Sequence, residues 1–259
     1  MNFEDILYTK SDGVARITIN RPETYNAFRT HTLKEMARAL EDCELDKAVR
    51  VVVLRGAGDK AFCSGGDMQE SKKGGYDNEM DHWHTQVHLL LRTIGKPVIA
   101  AVNGVAVGGG HILHVICDLS IAADSARFGQ AGPRVGSFDA GFGAAYLARL
   151  VGEKKAREIW FLCRKYSAAE ALQMGLVNKV VPLADLDAEV DRWCEEIKAL
   201  GPYALKFLKH SFNADTDHIA GLDNLSAAAV RMYWESSEAK QQKQAFAATQ
   251  KARKTASAG

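Results

Sequence analysis

Val107-Gly108-Gly109-Gly110-His111-Ile112-Leu113 sets three glycines between an apolar run at 97–102 and an apolar stretch able to open a helix. Glycine lacks a Cβ, so a ligand oxygen can approach the main chain closely there, and a helix starting at this point adds its positive dipole end. Upstream, Ala61-Phe62-Cys63-Ser64-Gly65-Gly66-Asp67 follows a strand-like run at 51–54 and again offers small residues with free N–H groups. Either cluster alone reads as a tight connection. Together they read as two main-chain donors for one oxygen that becomes negative during a reaction.

Outward from these loops, residues 6–10 and 14–19 flank Ser11-Asp12-Gly13, whose Asp-Gly step tolerates the positive dihedrals of a hairpin turn. The spacing of Leu33, Met36, Ala37, Leu40 and Cys43 predicts a helix over 32–45 with one apolar face. Short, almost wholly apolar runs at 49–54, 97–102, 119–122 and 176–181 alternate with helical segments, the pattern of strands buried on both faces. The fold class is therefore α/β. Residues 71–80 are polar, glycine-containing and aperiodic, and read as a mobile lid. A helix over 140–150 is expected, and after Gly201 the strand signals cease, with 202–213 and 219–247 reading as helices. The chain divides into a core over 1–200 and a helical region over 201–259 that packs on the core and on neighbouring subunits.

With 259 residues, 47% of them hydrophobic, the chain can bury one large core. Its 33 Lys and Arg against 32 acids leave a net charge of +1, which gives no argument for nucleic acid or an anionic membrane as partner and favours small-molecule chemistry. From Lys240 onward Lys240, Lys243, Lys251, Arg253 and Lys254 occur without an acid, fitting either a solvated terminus or a phosphate contact. Five cysteines are scattered with no CxxC pair and no metal-ligand spacing, so no metal is expected and a reducing cytoplasm is. The start lacks a basic, apolar leader, and no apolar run is long enough to span a bilayer, which again points to the cytoplasm.

The paired glycine loops, Asn103-Gly104, Cys117-Asp118-Leu119 and Phe128-Gly129-Gln130 resemble the crotonase (enoyl-CoA hydratase/isomerase) superfamily, over nearly the whole chain. The resemblance implies a crotonase-like spiral of ββα units with a C-terminal helical oligomerisation region, assembled as a homotrimer or homohexamer. It implies an acyl-CoA substrate whose thioester is polarised by two backbone N–H groups, those of Gly66 and Gly109, beside Ser64, Gly65 and Asp67. Asn26-Ala27-Phe28-Arg29 resembles the stretch bordering the CoA nucleotide, with Arg29 either a phosphate contact or an ordinary surface arginine. Coenzyme A is then part of the substrate, and no covalently bound cofactor is expected.

Hydratases of this superfamily carry one Glu two positions after the glycine triplet and another two after Phe-Gly-Gln; here those positions are Ile112 and Gly132, which transfer no proton. Instead Ser137-Phe138-Asp139, Gly110-His111-Ile112-Leu113-His114 and Lys154-Lys155-Ala156-Arg157-Glu158-Ile159-Trp160 resemble the subgroup of 1,4-dihydroxy-2-naphthoyl-CoA synthases and 2-ketocyclohexanecarboxyl-CoA hydrolases. The synthase closes a ring and the hydrolase opens one. The resemblance gives Asp139 a proton at the ring carbonyl or water, Ser137 a hydrogen bond beside it, and Tyr76 a contact to substrate from the lid. Bicarbonate or water is expected near Gln130 and Gly132, where some members hold the anion as base. Trp234, with Tyr233 adjacent, stands where the synthases place a C-terminal tyrosine, and Trp donates a hydrogen bond but is no acid. Ring-opening hydrolysis is thus the first expectation and ring closure the alternative, followed by other hydratase/isomerase-type chemistry or acyl-CoA binding without turnover. Two plainer readings stay open: Asp139 as a helix N-cap, and His111 and His114 as core residues rather than ligands.

Overall fold

The computed structural model describes residues 2–72 and 78–256. Among the described residues ten strands form in chain order: β1 Ile6–Ser11, β2 Val14–Ile19, β3 Val51–Gly56, β4 Ala61–Cys63, β5 Val98–Val102, β6 Val105–Val107, β7 Leu119–Ala123, β8 Arg127–Gly129, β9 Tyr166–Ser167 and β10 Lys179–Val181. The helices are α1 Thr30–Leu45, α2 Met68–Lys72, α3 Asn78–Thr93, α4 Gly109–Ile116, α5 Gly132–Val135, α6 Leu147–Val151, α7 Glu153–Leu162, α8 Ala168–Gln173, α9 Leu186–Lys198, α10 Pro202–Ala214, α11 His218–Glu235 and α12 Ser237–Ala256.

A larger sheet runs in the order β1-β2-β3-β5-β7-β10, antiparallel only at the opening hairpin, where Asp12 and Gly13 take positive φ as the Asp-Gly step requires. Its central strands are mostly apolar because both faces are covered, with Arg55 of β3 and Ser120 of β7 as the polar exceptions among β3, β5 and β7. Val52, Leu54, Val98 and Ala100 belong to one core with Leu33, Met36 and Leu40 of α1, while Val51, Val53, Ile99 and Ile121 belong to a second with Leu186, Val190 and Cys194 of α9. Alternate residues of each strand serve opposite cores, as the two-residue period demands. A smaller sheet, β4-β6-β8-β9, stands apart from it and carries both glycine turns at its strand ends. The α/β expectation is met.

Several boundaries differ from the sequence reading. The run at 176–181 becomes strand only from Lys179, where pairing with Ile121 of β7 begins; Leu176 and Val177 are buried ahead of it. The single helix over 219–247 is two, broken at Ser236, whose extended backbone ends α11 and whose Oγ accepts the Ala239 N–H at 3.1 Å to start α12. The helix over 140–150 begins as a π turn, Gly141–Tyr146, before α6. At 71–80, α2 and α3 take both ends of the segment read as a lid, and its centre, including Tyr76, lies outside the described residues. No described helix is long and apolar enough to cross a membrane.

Candidate active site

Parallel pairing of β4 with β6 brings the two glycine turns together. Gly65 sits at φ +95°, and a side chain built on it would come 3.0 Å from the Gly109 nitrogen, so only glycine lets the turns abut. Phe28 N–H donates to Gly65 O (2.9 Å) and Asp67 N–H donates to Phe28 O (2.8 Å), which leaves the intervening Gly66 N–H facing away from Phe28. Gly109 opens α4, where first-turn N–H groups have no intrahelical acceptor. Both residues line one cavity of about 140 Å³.

The other walls of that cavity carry acids and one imidazole. Ser137 and Asp139 reach it from the segment before the π turn, His84 from α3, and Asp223 and Trp234 from α11. Asp139 Oδ1 accepts the Gly143 N–H at 2.8 Å, so this side chain caps the turn and faces the cavity at once. Burial pushes its carboxyl up to about 6; the Asp223 charge adds to the rise, while His88 and the N–H groups of Gly143 and Gly141 oppose it. Asp223 behaves in the opposite sense. Burial raises it, but the charge and hydrogen bond of His88, the nearby His84 and the Phe142 N–H outweigh burial and hold it below the ordinary carboxylate range. The buried His88 places Nδ1 3.4 Å from Asp223 Oδ2. His84 stacks on His88 with ring centroids 4.0 Å apart, and burial, helped by the His88 charge, pushes it down to about 3, so it is neutral near pH 7. Asp81, also in the wall, pairs with Arg231 at 2.6 Å. Two carboxylates of unequal proton affinity thus share a pocket with two main-chain donors, an arrangement suited to moving protons around a polarised carbonyl.

Gly66, Gly109, Ser137, Asp139, Phe28 and Trp234 all meet in this cavity. Tyr233 does not line it; its ring packs edge-on against Phe138 at 5.6 Å and its hydroxyl donates to Glu238 at 3.1 Å. Ile112, where a hydratase has Glu, adds an apolar wall. Most of the residues expected at coenzyme A have intramolecular partners. Asn26 donates to the Ala57 and Ala61 carbonyls, Asp67 pairs with Arg21 at 2.8 Å, Arg29 pairs with Asp5 at 2.7 Å, and Ser64 Oγ donates to Thr24 O at 3.3 Å. Ala27 is buried. Asn26 also lines a second hollow with Pro22, Gly58 and Lys60. Gln130 is buried beside His111 (3.3 Å), and Gly132 packs under Ser137; neither lines the cavity. His111 and His114 are core residues, fully buried and with pKa values pushed down by burial.

Sequence reasoning missed His84, His88 and Asp223. One signal was available: His84 and His88 are four residues apart, hence on one helical face, and Asp223 is an acid inside an otherwise apolar helix stretch.

The model of the family described as Enoyl-CoA hydratase/isomerase matches residues 9–255. Among solved structures, an enoyl-CoA hydratase/isomerase from Xanthobacter autotrophicus Py2 is 33% identical over 95% of this chain and 92% of its own, with a TM-score of 0.83. An enoyl-CoA hydratase from Mycobacterium avium subsp. paratuberculosis K-10 is 28% identical over 94% of this chain and 99% of its own, with a TM-score of 0.86. An enoyl-CoA hydratase/isomerase from Pseudoalteromonas atlantica T6c is 25% identical over 95% of this chain and 98% of its own, with a TM-score of 0.87. With the match running almost end to end and the glycine turns abutting as the fold requires, this chain belongs to the enoyl-CoA hydratase/isomerase family, the crotonase superfamily.

Proposed function

We propose that the protein opens the ring of a cyclic β-keto acyl-CoA by hydrolysis, in the manner of a 2-ketocyclohexanecarboxyl-CoA hydrolase. One observation carries this reading: Asp139 and Ser137 occupy the cavity that Gly66 and Gly109 line, while the hydratase glutamate position there is the apolar Ile112. Water adds to the ring carbonyl and the bond between that carbon and the thioester α-carbon breaks. The bonding pair moves onto the α-carbon as a thioester enolate, whose oxygen the Gly66 and Gly109 N–H groups receive. Protonation at the α-carbon then releases an open-chain acyl-CoA with a carboxyl group at its far end. Trp234 lines the wall where the resemblance places the tyrosine of the synthases, and an indole donates a hydrogen bond without acting as an acid, so the synthase tyrosine has no counterpart there.

Incubation with 2-ketocyclohexanecarboxyl-CoA followed by mass spectrometry tests the reading: a gain of one water supports it. Ring closure of succinylbenzoyl-CoA with no hydrolysis would replace it with the synthase reaction, and hydration of crotonyl-CoA alone would return the protein to ordinary hydratases.

The proposal extends to two further components. Bicarbonate or water near Gln130 and Gly132 is supported by the buried Gln130 Oε1, which lacks a protein partner; turnover indifferent to added bicarbonate would leave water as the occupant. Assembly, which the resemblance makes a trimer or hexamer, is supported as self-association by the apolar side chains α10 exposes.

A further inference from the structure

A second carboxylate faces the cavity from α11, the helix that packs on the π turn. Asp223 comes from α11, Asp139 from the segment before the π turn, and His88 from α3; one nitrogen of His88 and one oxygen of each carboxylate lie within 4.8 Å of one another. Glycines of the π turn permit this crowding, for a side chain at Gly141 would strike the Asp223 carboxylate at 2.7 Å and one at Gly143 the Asp139 carboxylate at 2.9 Å. His88 is fully buried and does not line the cavity, whereas both carboxylates do. The imidazole therefore acts on substrate only through them.

We propose that Asp223 and Asp139 divide the proton transfers of the ring opening, Asp223 serving the water and the α-carbon and Asp139 serving the ring carbonyl oxygen, with His88 as the positioning residue of Asp223. The proposal rests on the ring-opening reading. As water attacks the ring carbonyl carbon, ionised Asp223 takes one of its protons and protonated Asp139 gives its proton to the carbonyl oxygen. When the carbon–carbon bond breaks, that hydroxyl proton returns to Asp139, the carbonyl reforms as the new carboxylic acid, and the pair on the α-carbon takes the proton held by Asp223. Water is consumed, and both carboxylates end as they began. The opposed shifts of the two groups, Asp139 up to about 6 and Asp223 below the ordinary range, match this division. The other charged or titratable groups nearby are His84, the Asp81–Arg231 pair, and Arg92 over the Phe142 ring. On α4, His111 and His114 are buried and held neutral.

The test uses the full chain with 2-ketocyclohexanecarboxyl-CoA. Asp223→Asn is expected to lower kcat by about 10²–10³-fold with KM within about threefold, and Asp223→Glu to recover at least about tenfold of that loss. His88→Gln is expected to move the acidic limb of the kcat profile to higher pH, because Asp223 loses the charge that holds its proton affinity down. Asp223→Asn within about twofold of wild type, or a His88→Gln profile of unchanged shape, overturns the proposal. So does a stoichiometric divalent cation whose removal by chelation abolishes turnover, since the three groups would then be its ligands. Should wild type open no cyclic β-keto ester, the function reading fails on its own. The pair is then judged by NMR titration of carbon-13-labelled aspartate carboxyls: the Asp139 midpoint is expected to fall in Asp223→Asn as like-charge repulsion disappears, and an unmoved midpoint overturns the coupling.

Discussion

Asp139 combines two demands that rarely fall on one side chain: its Oδ1 closes the first turn of a helix, and the same carboxyl is pushed up to about 6 by burial within reach of a second acid. Asparagine keeps the capping oxygen and removes the proton chemistry. Asp139→Asn is therefore expected to lower kcat by about 10²–10⁴-fold with little change in acyl-CoA binding, measured by steady-state kinetics and by titration with a non-reacting CoA ester. Its effect on stability has the opposite sign. A carboxyl held above its ordinary value of 3.8 keeps a proton in the folded chain that the unfolded chain releases, so stability falls as pH rises from about 4 to about 6. Asp139→Asn should consequently be more stable than wild type above pH 6, by on the order of 2 kcal/mol, with the advantage vanishing near pH 4. Urea unfolding across that range checks the prediction, and equal stabilities at pH 7 would contradict it.

At the scale of elements, the site depends on polar groups that tie segments across the chain. Glu35 of α1 accepts the main-chain N–H groups of Glu4, Asp5 and Ile6 at 2.7, 2.8 and 3.2 Å, fastening the first strand to the helix that covers the larger sheet. Asp5 in turn accepts from Arg29 and Thr32 at the start of α1, and the Arg29 pair helps hold its carboxyl below the ordinary value despite burial. Truncation at Glu35 leaves buried donors without acceptors, and Glu35→Ala is expected to cost about 2–4 kcal/mol in urea unfolding. Because α1 also packs on α3, the element carrying His84 and His88, the variant should weaken acyl-CoA binding as well. A third tie holds the π turn directly, since Trp160 Nε1 donates to Gly143 O at 2.6 Å and keeps the turn at the depth where Asp139 faces the cavity. Lys209 does the same for α10, pairing with Asp118 at 2.7 Å and donating to the Leu91 carbonyl.

Across the whole molecule, α10 is the element least explained by a single chain. Tyr203, Phe207 and Phe212 are 76%, 68% and 76% exposed, on more than one side of the helix, and Leu208 is exposed with them. A helix apolar on several sides is normally covered, and large apolar side chains left exposed in this way mark an association site. Replacing Tyr203, Phe207 and Phe212 together by Asp is expected to convert the proposed assembly of three or six chains to monomers in multi-angle light scattering. Wild type that is itself monomeric at micromolar concentration would refute the assembly.

Residue types and short-range periodicity were enough to define the hairpin, the strands buried on both faces, the helix over α1 and the two glycine turns, because each depends on steric and solvation preferences acting within a few residues. The resemblance to the crotonase superfamily, carried by the same residues, marked Asp139 and questioned a hydratase, because it is against that family's pattern that an acid at 139 and an Ile at 112 stand out. Periodicity did not separate α11 from α12, because Ser236, set among helix-favouring Glu235, Glu238, Ala239 and Lys240, signals a cap only once the backbone turns extended there. Nor did it show that His88 and Asp223, far apart in the chain from each other and from Asp139, would meet at one cavity. That meeting is set by which faces of α3, α11 and the π turn pack together, a choice made by the shape and volume of the whole core and encoded in no local stretch of sequence.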